Sequence, residues 1–314
     1  MQLIRGLHNL HSSHRGSAIT IGNFDGLHRG HCAVLRHLHA HAGPRGLLTT
    51  VITFEPTPQE YFSPDTAPPR LQRLRDKLVT LDELGVDRVL CLRFDRKLAA
   101  LSAQAFVDKI LVAGLGARYL VIGDDFRFGA GRDGDFAYLC QAGARQGFEV
   151  TSTETFFVAG ERVSSTRVRD ALASGDLEHA ARLLGRPYRI CGRVVAGERR
   201  GRTIGFPTAN IHLHRRVAPL RGVFAVRVHG VPGTGAATGV ANVGTRPTVD
   251  GSRWVLEVHL FDSDAQLYGR YLDVEFCRRL RDERKFASFE MLKQQIQRDA
   301  EQARQFFLCE SASE

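Results

Sequence analysis

The ten residues Gly22 to His31, reading GNFDGLHRGH, restrict this chain more than any other stretch. An apolar β-type run, SAITI, leads into them, and CAVLRHLHAHAG follows with the apolar spacing of a helix, so the segment is a strand-to-helix turn. Gly22, Gly26 and Gly30 keep side-chain bulk away where the backbone bends and a ligand approaches closely. His28 and His31 fall three apart near the first helical turn and share a face. A helix start offers unpaired N–H groups and the positive end of a dipole, and two imidazoles there suit a polyphosphate on which charge develops. Alone, the pattern reads more readily as a tight turn with two surface histidines. The rest of the chain decides between these readings.

From residue 17 to about 158, β-type runs alternate with helical patterns. The strands are expected at 17–22, 47–54, 87–94, 118–123 and 148–158, with helices beginning near His28, Arg70, Ser102 and Asp133. The runs are apolar throughout rather than alternating, as in strands covered by helices on both faces, so the expected architecture is a Rossmann-like parallel α/β sheet. Such sheets bind ligands beyond the carboxyl ends of their strands, where the opening turn lies.

Two further loops reach that edge. After Gly123 comes DDFRFGAGRDGD, in which Gly129, Gly131 and Gly134 match G-x-G-x-x-G. These glycines begin six residues beyond the strand, and Asp133 and Asp135 sit poorly beside a pyrophosphate, so a glycine-rich surface loop is the better reading. Asp124 and Asp125, directly at the strand end, offer carboxylates to a ribose, an amino group or a metal, or are solvated loop acids. The second loop is VSSTRVRDAL, residues 163–172, where Ser164, Ser165 and Thr166 can cap a helix or cradle phosphate oxygens while Arg169 reaches the same anion. No G-x-x-x-x-G-K-[ST] is present, which excludes a P-loop.

With 314 residues, 43% hydrophobic and 25% charged, the chain fits two folded domains. It has neither a leader-like apolar start nor a run long enough to span a bilayer, so a cytoplasmic protein without a membrane partner is expected. The six cysteines never form C-x-x-C and read as isolated reduced thiols. The net charge of +9 is spread along the chain with no compact basic run; it suits polyanionic small molecules such as ATP and argues against nucleic acid. Thirteen histidines, including His8, His11, His14, His37, His39 and His41, raise a zinc site as a rival, but without the mixed ligand spacing of one.

G-x-F-D-G-x-H-x-G-H on the first turn, with S-S-T-x-x-R after the last strand, resembles the nucleotidyltransferase superfamily. The set GNFDGLHRGH, TFEPTP, GDDFRFG and SSTRVR is similar to the adenylyltransferase half of bacterial bifunctional riboflavin kinase/FAD synthetases. The resemblance implies that His28, His31 and Arg169 stabilise charge at the α-phosphate of ATP. It further implies that Gly22, Phe24, Asp25, Gly30, Asp125, Ser164, Ser165 and Thr166 bind ATP or flavin. Thr57 departs from the family pattern, which has His or Gln there.

Pro187 stops the helical stretch 169–184, which puts the expected boundary at Arg186, with domains 1–186 and 187–314. Six short β-type runs then follow in about 90 residues (RICGRVVAGE, GFPTANIHL, GVFAVRVHG, ATGVANVG, WVLEVHLFD and YLDVEFCRRL), as in a small antiparallel barrel. A last helix presents Phe289, Leu292, Ile296, Ala300, Ala303 and Phe307 on one face. Within GERRGRTIGFPTAN, Gly201 and Gly205 allow close approach, Arg199, Arg200 and Arg202 supply positive charge, and Thr208 and Asn210 are oxygen ligands two apart that suit magnesium; the same stretch also reads as a basic hairpin. Glu257 lies on the opposite strand face from Trp254, Leu256, Val258 and Leu260, as a general base in a half-apolar setting or a solvent-facing acid.

G-x-x-x-G-F-P-T-A-N, then NVGTRPT, E-V-H-L and LYG, resemble the riboflavin kinase domain. The resemblance implies Mg2+ near Thr208 and Asn210, Glu257 as catalytic base, and Gly201, Gly205, Phe206, Pro207 and Arg246 as contacts of ATP or flavin. It covers Ser17 to about Phe307 and implies two consecutive ATP-dependent steps, riboflavin to FMN and FMN to FAD, in a monomer or weak homo-oligomer. The rivals are a transferase acting on another phosphate acceptor, which the PTAN domain disfavours, and a non-catalytic flavin-binding protein, which the presence of Glu257, His28 and His31 disfavours.

Overall fold

The computed structural model describes residues 1–196, 206–248, 251–263 and 265–311, without the side chains of 247, 248, 251, 252 and 311. Gly201, Gly205 and the arginines at 199, 200 and 202 therefore lie outside the described residues. The chain forms two compact units, one of Met1–Pro68 with Gln72–Ser165 and one of Pro69–Leu71 with Thr166–Glu314.

The first unit holds β1 (Gln2–Arg5), β2 (Ser17–Ile21), β3 (Leu48–Glu55), β4 (Arg88–Arg93), β5 (Tyr119–Gly123) and β6 (Glu149–Thr153). They form one sheet in the order β1-β4-β3-β2-β5-β6, every pair parallel. Its helices are α1 (Arg29–Ala42), α2 (Pro58–Phe62), α3 (Leu74–Glu83), α4 (Arg96–Ala99), α5 (Ala103–Phe106), which continues as a π-helix over Val107–Gly114, and α6 (Phe136–Gln146). All five residues of β2 are buried, the pattern of a central strand covered on both sides. On α1 the buried residues Leu35, Leu38 and Ala42 recur at three and four, so that helix lies on the sheet by one stripe.

In the first unit the strands differ from expectation in two places. A sixth strand, β1, pairs with β4 at the sheet edge; four residues of mixed burial leave little periodicity to read. The run 148–158 divides into β6 and a two-stranded hairpin of β7 (Phe157–Val158) and β8 (Glu161–Arg162), because Gly160 and Ala159 take left-handed turn conformations. The chain proceeds from β2 outward through β3 and β4, then crosses to β5 on the other side of β2. The crevice between the ends of β2 and β5 is thus the topological switch point, the favoured ligand site of open α/β sheets.

The second unit begins with α7 (Ser165–Ser174, from Thr166 onward) and α8 (Leu177–Leu184). The strands β9 (Arg189–Val195), β10 (Ala209–His212), β11 (Gly222–His229), β12 (Ala237–Thr248), β13 (Gly251–Leu260) and β14 (Tyr271–Arg281) follow. They close into an antiparallel barrel in the order β10-β13-β12-β11-β14-β9. Ile211, Leu256 and Val243 are register partners across three strands and fully buried, as are Val258, Ala241 and Phe224. They mark the filled interior, and the alternate residues face outward. The C-terminal helix α9 (Phe289–Ser311) packs Ala300, Ala303 and Phe307 against Ala225 and Phe261 on that outer wall. Phe289, expected on the same face, is exposed at the first position of the helix.

Candidate functional site

The turn after β2 is held by the sheet and by its own side chains. Gly22 donates its N–H to Ile52 O at 3.0 Å, and Phe24, Gly26 and Leu27 all have positive φ, at 47°, 83° and 44°. Left-handed backbone is costly for bulky residues and persists only where the surroundings enforce it. Here Phe24 and Leu27 are buried with Leu35, Val51, Leu81, Val86 and Val89. The strained turn is a lid over that core. Buried Lys77 donates to Asn23 O at 2.6 Å, Gln72 N–H to Asp25 Oδ1 at 3.1 Å, and Ser165 Oγ to Asp25 O at 2.9 Å.

His28 is the N-cap of α1, one residue before the helix: its Nδ1 accepts from His31 N–H at 3.3 Å. Because Nδ1 is an acceptor, the ring proton resides on Nε2, which makes Nε2–H a donor. The His28 and His31 rings stack with centroids 3.7 Å apart, and Phe24 lies 5.0 Å from His31. The structure therefore brings His28, His31, Phe24, Asp25 and Ser165 together around Gly22 and Gly30. A Cβ at Gly30 would stand 3.2 Å from the His28 ring, and one at Gly22 3.2 Å from the Phe24 ring.

At the other side of the switch point, Asp125 is exposed and pairs with Arg162 at 2.8 Å, while Asp124 accepts from Thr155 Oγ1 at 2.8 Å. Asp125 thus ties the β7–β8 hairpin, and Asp124 the stretch leading into it, to the end of β5. Gly129 and Gly131 have positive φ, and Phe128 bridges to Gly134; α6 begins only at Phe136, capped by Asp135. This loop folds on itself, with a 3-10 turn over Ala130–Arg132, before the α-helix begins, which excludes a dinucleotide fingerprint. In the second unit, Thr166 and Arg169 sit on α7, and Arg169 Nε donates to Pro69 O at 2.7 Å.

A mostly apolar cavity of about 700 Å3, not among the sequence expectations, opens at the same carboxyl edge of the sheet. Phe54 at the end of β3, Phe94 after β4, Phe126 and Phe128 after β5, and Phe62 on α2 line it, with Arg127 and Arg132. A flat apolar group with an anionic tail matches such a lining. The signal available was an aromatic residue at or just beyond three strand ends in turn. Thr57 caps α2 beside it: Thr57 Oγ1 accepts from Glu60 N–H at 3.3 Å, and Glu60 Oε2 accepts from Thr57 N–H at 2.9 Å. This reciprocal capping box gives Thr57 a definite structural role.

On the barrel's outer wall, Asn210, Glu257 and Asn242 are register partners on β10, β13 and β12, a polar row across three strands. Arg246 Nη2 pairs with Glu257 Oε1. A guanidinium thus stands against the carboxylate in the half-apolar setting expected for Glu257. Asn210 is buried, and its Nδ2 donates to Thr208 O at 3.4 Å. Thr208 and Asn210 offer neutral oxygens on the same stretch of wall as the Glu257 carboxylate, hard donors that fit Mg2+ rather than a soft metal.

His259, two residues beyond Glu257, lies 2.9 Å by Nδ1 from Pro207 O. A carbonyl only accepts, so Nδ1 carries the proton and ties the PTAN segment to β13. Burial lowers the pKa of His259 against the smaller opposing effect of that bond. Phe206 meets the same ring edge-on at 5.0 Å. Pro207, Thr208 and Ala209 also line a cavity of about 250 Å3 with Leu260 and Tyr268.

The family model described as FAD synthetase matches residues 10–167, and that described as riboflavin kinase matches residues 184–307. The chain is 54% identical over 308 residues to a bifunctional riboflavin kinase/FMN adenylyltransferase of Escherichia coli, covering 98% of each chain. It is 51% identical to the protein of the same description in Haemophilus influenzae, covering 98% of this chain and 99% of that one, and 52% identical to that of Pseudomonas fluorescens, covering 97% of each. A Streptococcus pneumoniae crystal structure described as a macrolide-efflux protein superposes with a TM-score of 0.82 at 30% identity, covering 97% of this chain and 99% of that one. No helix among the described residues of this chain is long and apolar enough to cross a membrane. With both domains matched and relatives aligned nearly end to end, the chain belongs to the bifunctional riboflavin kinase/FMN adenylyltransferase family.

Proposed function

We propose an assignment of the family's two reactions to residues of this chain. The chain is a transferase that converts riboflavin to FMN and FMN to FAD, with ATP as co-substrate in each step. The adenylyl transfer is assigned to the β2–α1 turn and the phosphoryl transfer to the outer wall of the barrel, so the functional division falls near Arg186. The observation that carries the assignment is the register Asn210–Glu257, which seats a carboxylate beside the PTAN oxygens.

In the barrel, Glu257 takes the proton of the ribityl 5′-hydroxyl as that oxygen attacks the γ-phosphate of ATP and ADP leaves. Arg246 must swing from Glu257 as the substrate enters, and is then a cation beside the transferring phosphoryl group. Thr208 and Asn210 would hold Mg2+, which when bound neutralises phosphate charge. Phe206, Pro207 and, by sequence, Gly201 and Gly205 border the nucleotide.

In the α/β unit, an FMN phosphate oxygen attacks the α-phosphate of ATP and pyrophosphate leaves. The nucleophile is already an anion and needs no base. His28, through Nε2–H, and His31 donate to the phosphate where charge develops, together with the N–H groups at the start of α1; Arg169 adds positive charge, and Ser164, Ser165 and Thr166 bind phosphate oxygens. Gly22 and Gly30 leave room for the nucleotide, Phe24 and Asp25 hold the turn, and Asp125 lies at the rim. The aromatic cavity takes the isoalloxazine ring. Both reactions belong to the cytoplasm, where ATP and reduced thiols coexist, in a monomer or weak homo-oligomer, without nucleic acid or membrane.

The test follows riboflavin, FMN and FAD by chromatography with ATP and magnesium. Glu257→Gln is expected to stop FMN formation and leave FMN-to-FAD conversion intact, while His31→Ala does the reverse. Equal loss of both steps in either folded variant refutes the assignment of two separate sites.

A further inference from the structure

We propose that Asn242 is a positioning residue for riboflavin phosphorylation, its buried carboxamide oxygen accepting a hydrogen bond from a ribityl hydroxyl and holding the acceptor chain against Glu257. The proposal rests on the reading of Glu257 as the base.

Asn242 is the β12 register partner of Glu257, so the two side chains leave the wall side by side, about 5 Å apart at their Cβ atoms. Asn242 Oδ1 is buried and has no hydrogen-bond partner among the described residues. Its Nδ2 donates to Glu283 Oε1 at 3.5 Å. Glu283 is anchored in turn, since Arg221 donates to Glu283 Oε2 from Nε at 3.0 Å and from Nη2 at 2.9 Å. An ionised carboxylate only accepts, so Glu283 fixes which way the Asn242 amide points: nitrogen toward Glu283, oxygen away from it. Gly244 makes this possible, because a Cβ there would overlap the Glu283 carboxyl group.

A buried acceptor held in one orientation and left unpaired is costly to maintain, and a group that donates to it on binding recovers that cost. The order of the row identifies the donor. Asn210, with Thr208, lies on the β10 side of Glu257, the side assigned to metal and phosphate; Asn242 lies on the β12 side. The acceptor must approach Glu257 from the side the nucleotide does not fill. Riboflavin carries there a chain of four hydroxyls, and its 5′-hydroxyl is the one Glu257 deprotonates. A neighbouring hydroxyl on the same chain spans the distance from Glu257 to Asn242.

The test uses the full-length protein, with FMN-to-FAD conversion as the control for folding. Asn242→Ala is expected to lower kcat/KM for riboflavin on the order of tenfold, leaving KM for Mg-ATP and the adenylyl transfer unchanged. Flavins lacking one ribityl hydroxyl locate the contact. One of them should lose a similar factor with the wild type and nothing further with Asn242→Ala, a non-additive pair. Asn242→Ser, which keeps a small acceptor, should recover part of the loss and serves as the test if the alanine variant fails to fold. Additive losses for every deoxyflavin, or a change confined to KM for Mg-ATP, overturns the proposal. If Glu257→Gln still phosphorylates riboflavin, it is the reading of the base that fails, and this outcome is distinct from a missing Asn242 coupling.

Discussion

Gly30 shows how closely the transferase turn is fitted around its histidines. A Cβ there would lie 3.2 Å from both Cε1 and Nδ1 of His28, and its φ is not in the left-handed region, so alanine is conformationally permitted. Two effects compete. Replacing a helical glycine gains up to about 1 kcal/mol of helix stability, whereas the contact displaces the His28 ring by a few tenths of an ångström. The ring is both the cap of α1 and, by the assignment above, a donor to the reacting phosphate, and misplacement on the order of 1 Å can cost about a hundredfold in rate. Gly30→Ala should therefore leave the denaturation midpoint level or slightly raised while FMN-to-FAD conversion falls several-fold and riboflavin phosphorylation is untouched. Parallel half-reaction assays read this directly. An unchanged rate of FAD formation would mean that the His28 ring is not held in a productive position by its neighbours.

The helix α2 carries a similar coupling between a local signal and the site. It is five residues long, too short to persist by its own propensity, and the Thr57–Glu60 capping box with Pro58 in its first turn fixes it in place. Pro58, Gln59 and Phe62 line the aromatic cavity. Loss of the cap in Thr57→Ala costs about 1 kcal/mol, and the expected consequence is a raised KM for FMN with no effect on the kinase, restored by Thr57→Ser. An unaltered KM for FMN would separate the cap from the cavity. Elements of this sort also mark the limit of what the chain discloses as text. The strands β2 to β5 and all six barrel strands were legible because burial on both faces, or strict alternation, leaves a pattern several residues long. The turn at Gly22 was legible because glycine and histidine are chemically distinctive at fixed spacing. The strand β1 was not, since an edge pairing of four residues depends on β4 far along the chain. The cavity was not legible because its six phenylalanines come from β3, α2, α5 and the stretches after β4 and β5, and converge only through the parallel order of the sheet. Asn242 was not legible either: its place beside Glu257 is a matter of register between strands.

Charge distribution gives both units the same response to acid. Burial, the largest cause in each case, lowers the pKa of His14 and His37 in the first unit and of His212 and His259 in the second; Arg88 adds to it for His14, His41 for His37, and Arg253 for His212. Each is thus held neutral in the folded state below the ordinary histidine value of 6.5. In that window the unfolded chain binds more protons than the folded one, so stability rises with pH there. The contribution is complete above about pH 6.5 and is lost as pH falls toward the depressed folded values. Glu275 adds a second step confined to the barrel. Burial opposes its ionisation, but Arg189 at 2.5 Å and Arg227 at 3.0 Å outweigh that and hold its carboxyl below the usual 4.5. Its stabilisation is present above 4.5 and lost below it. Thermal unfolding at constant ionic strength is therefore expected to show midpoints level between pH 8 and 7 and falling from about pH 6.5 to 5. Because the chain has two compact units, a single midpoint is not assured. The one tryptophan, Trp254 on β13, reports the barrel by fluorescence, and residual FMN-to-FAD activity after heating reports the α/β unit. Both signals should shift together down to pH 5, and only the Trp254 signal should drop steeply again below pH 4.5. Midpoints that stay level from pH 7 to 5 would mean the four histidines are not buried in the neutral form, and a steep second loss in the α/β unit alone would place the acid-sensitive carboxylate outside the Glu275 cluster.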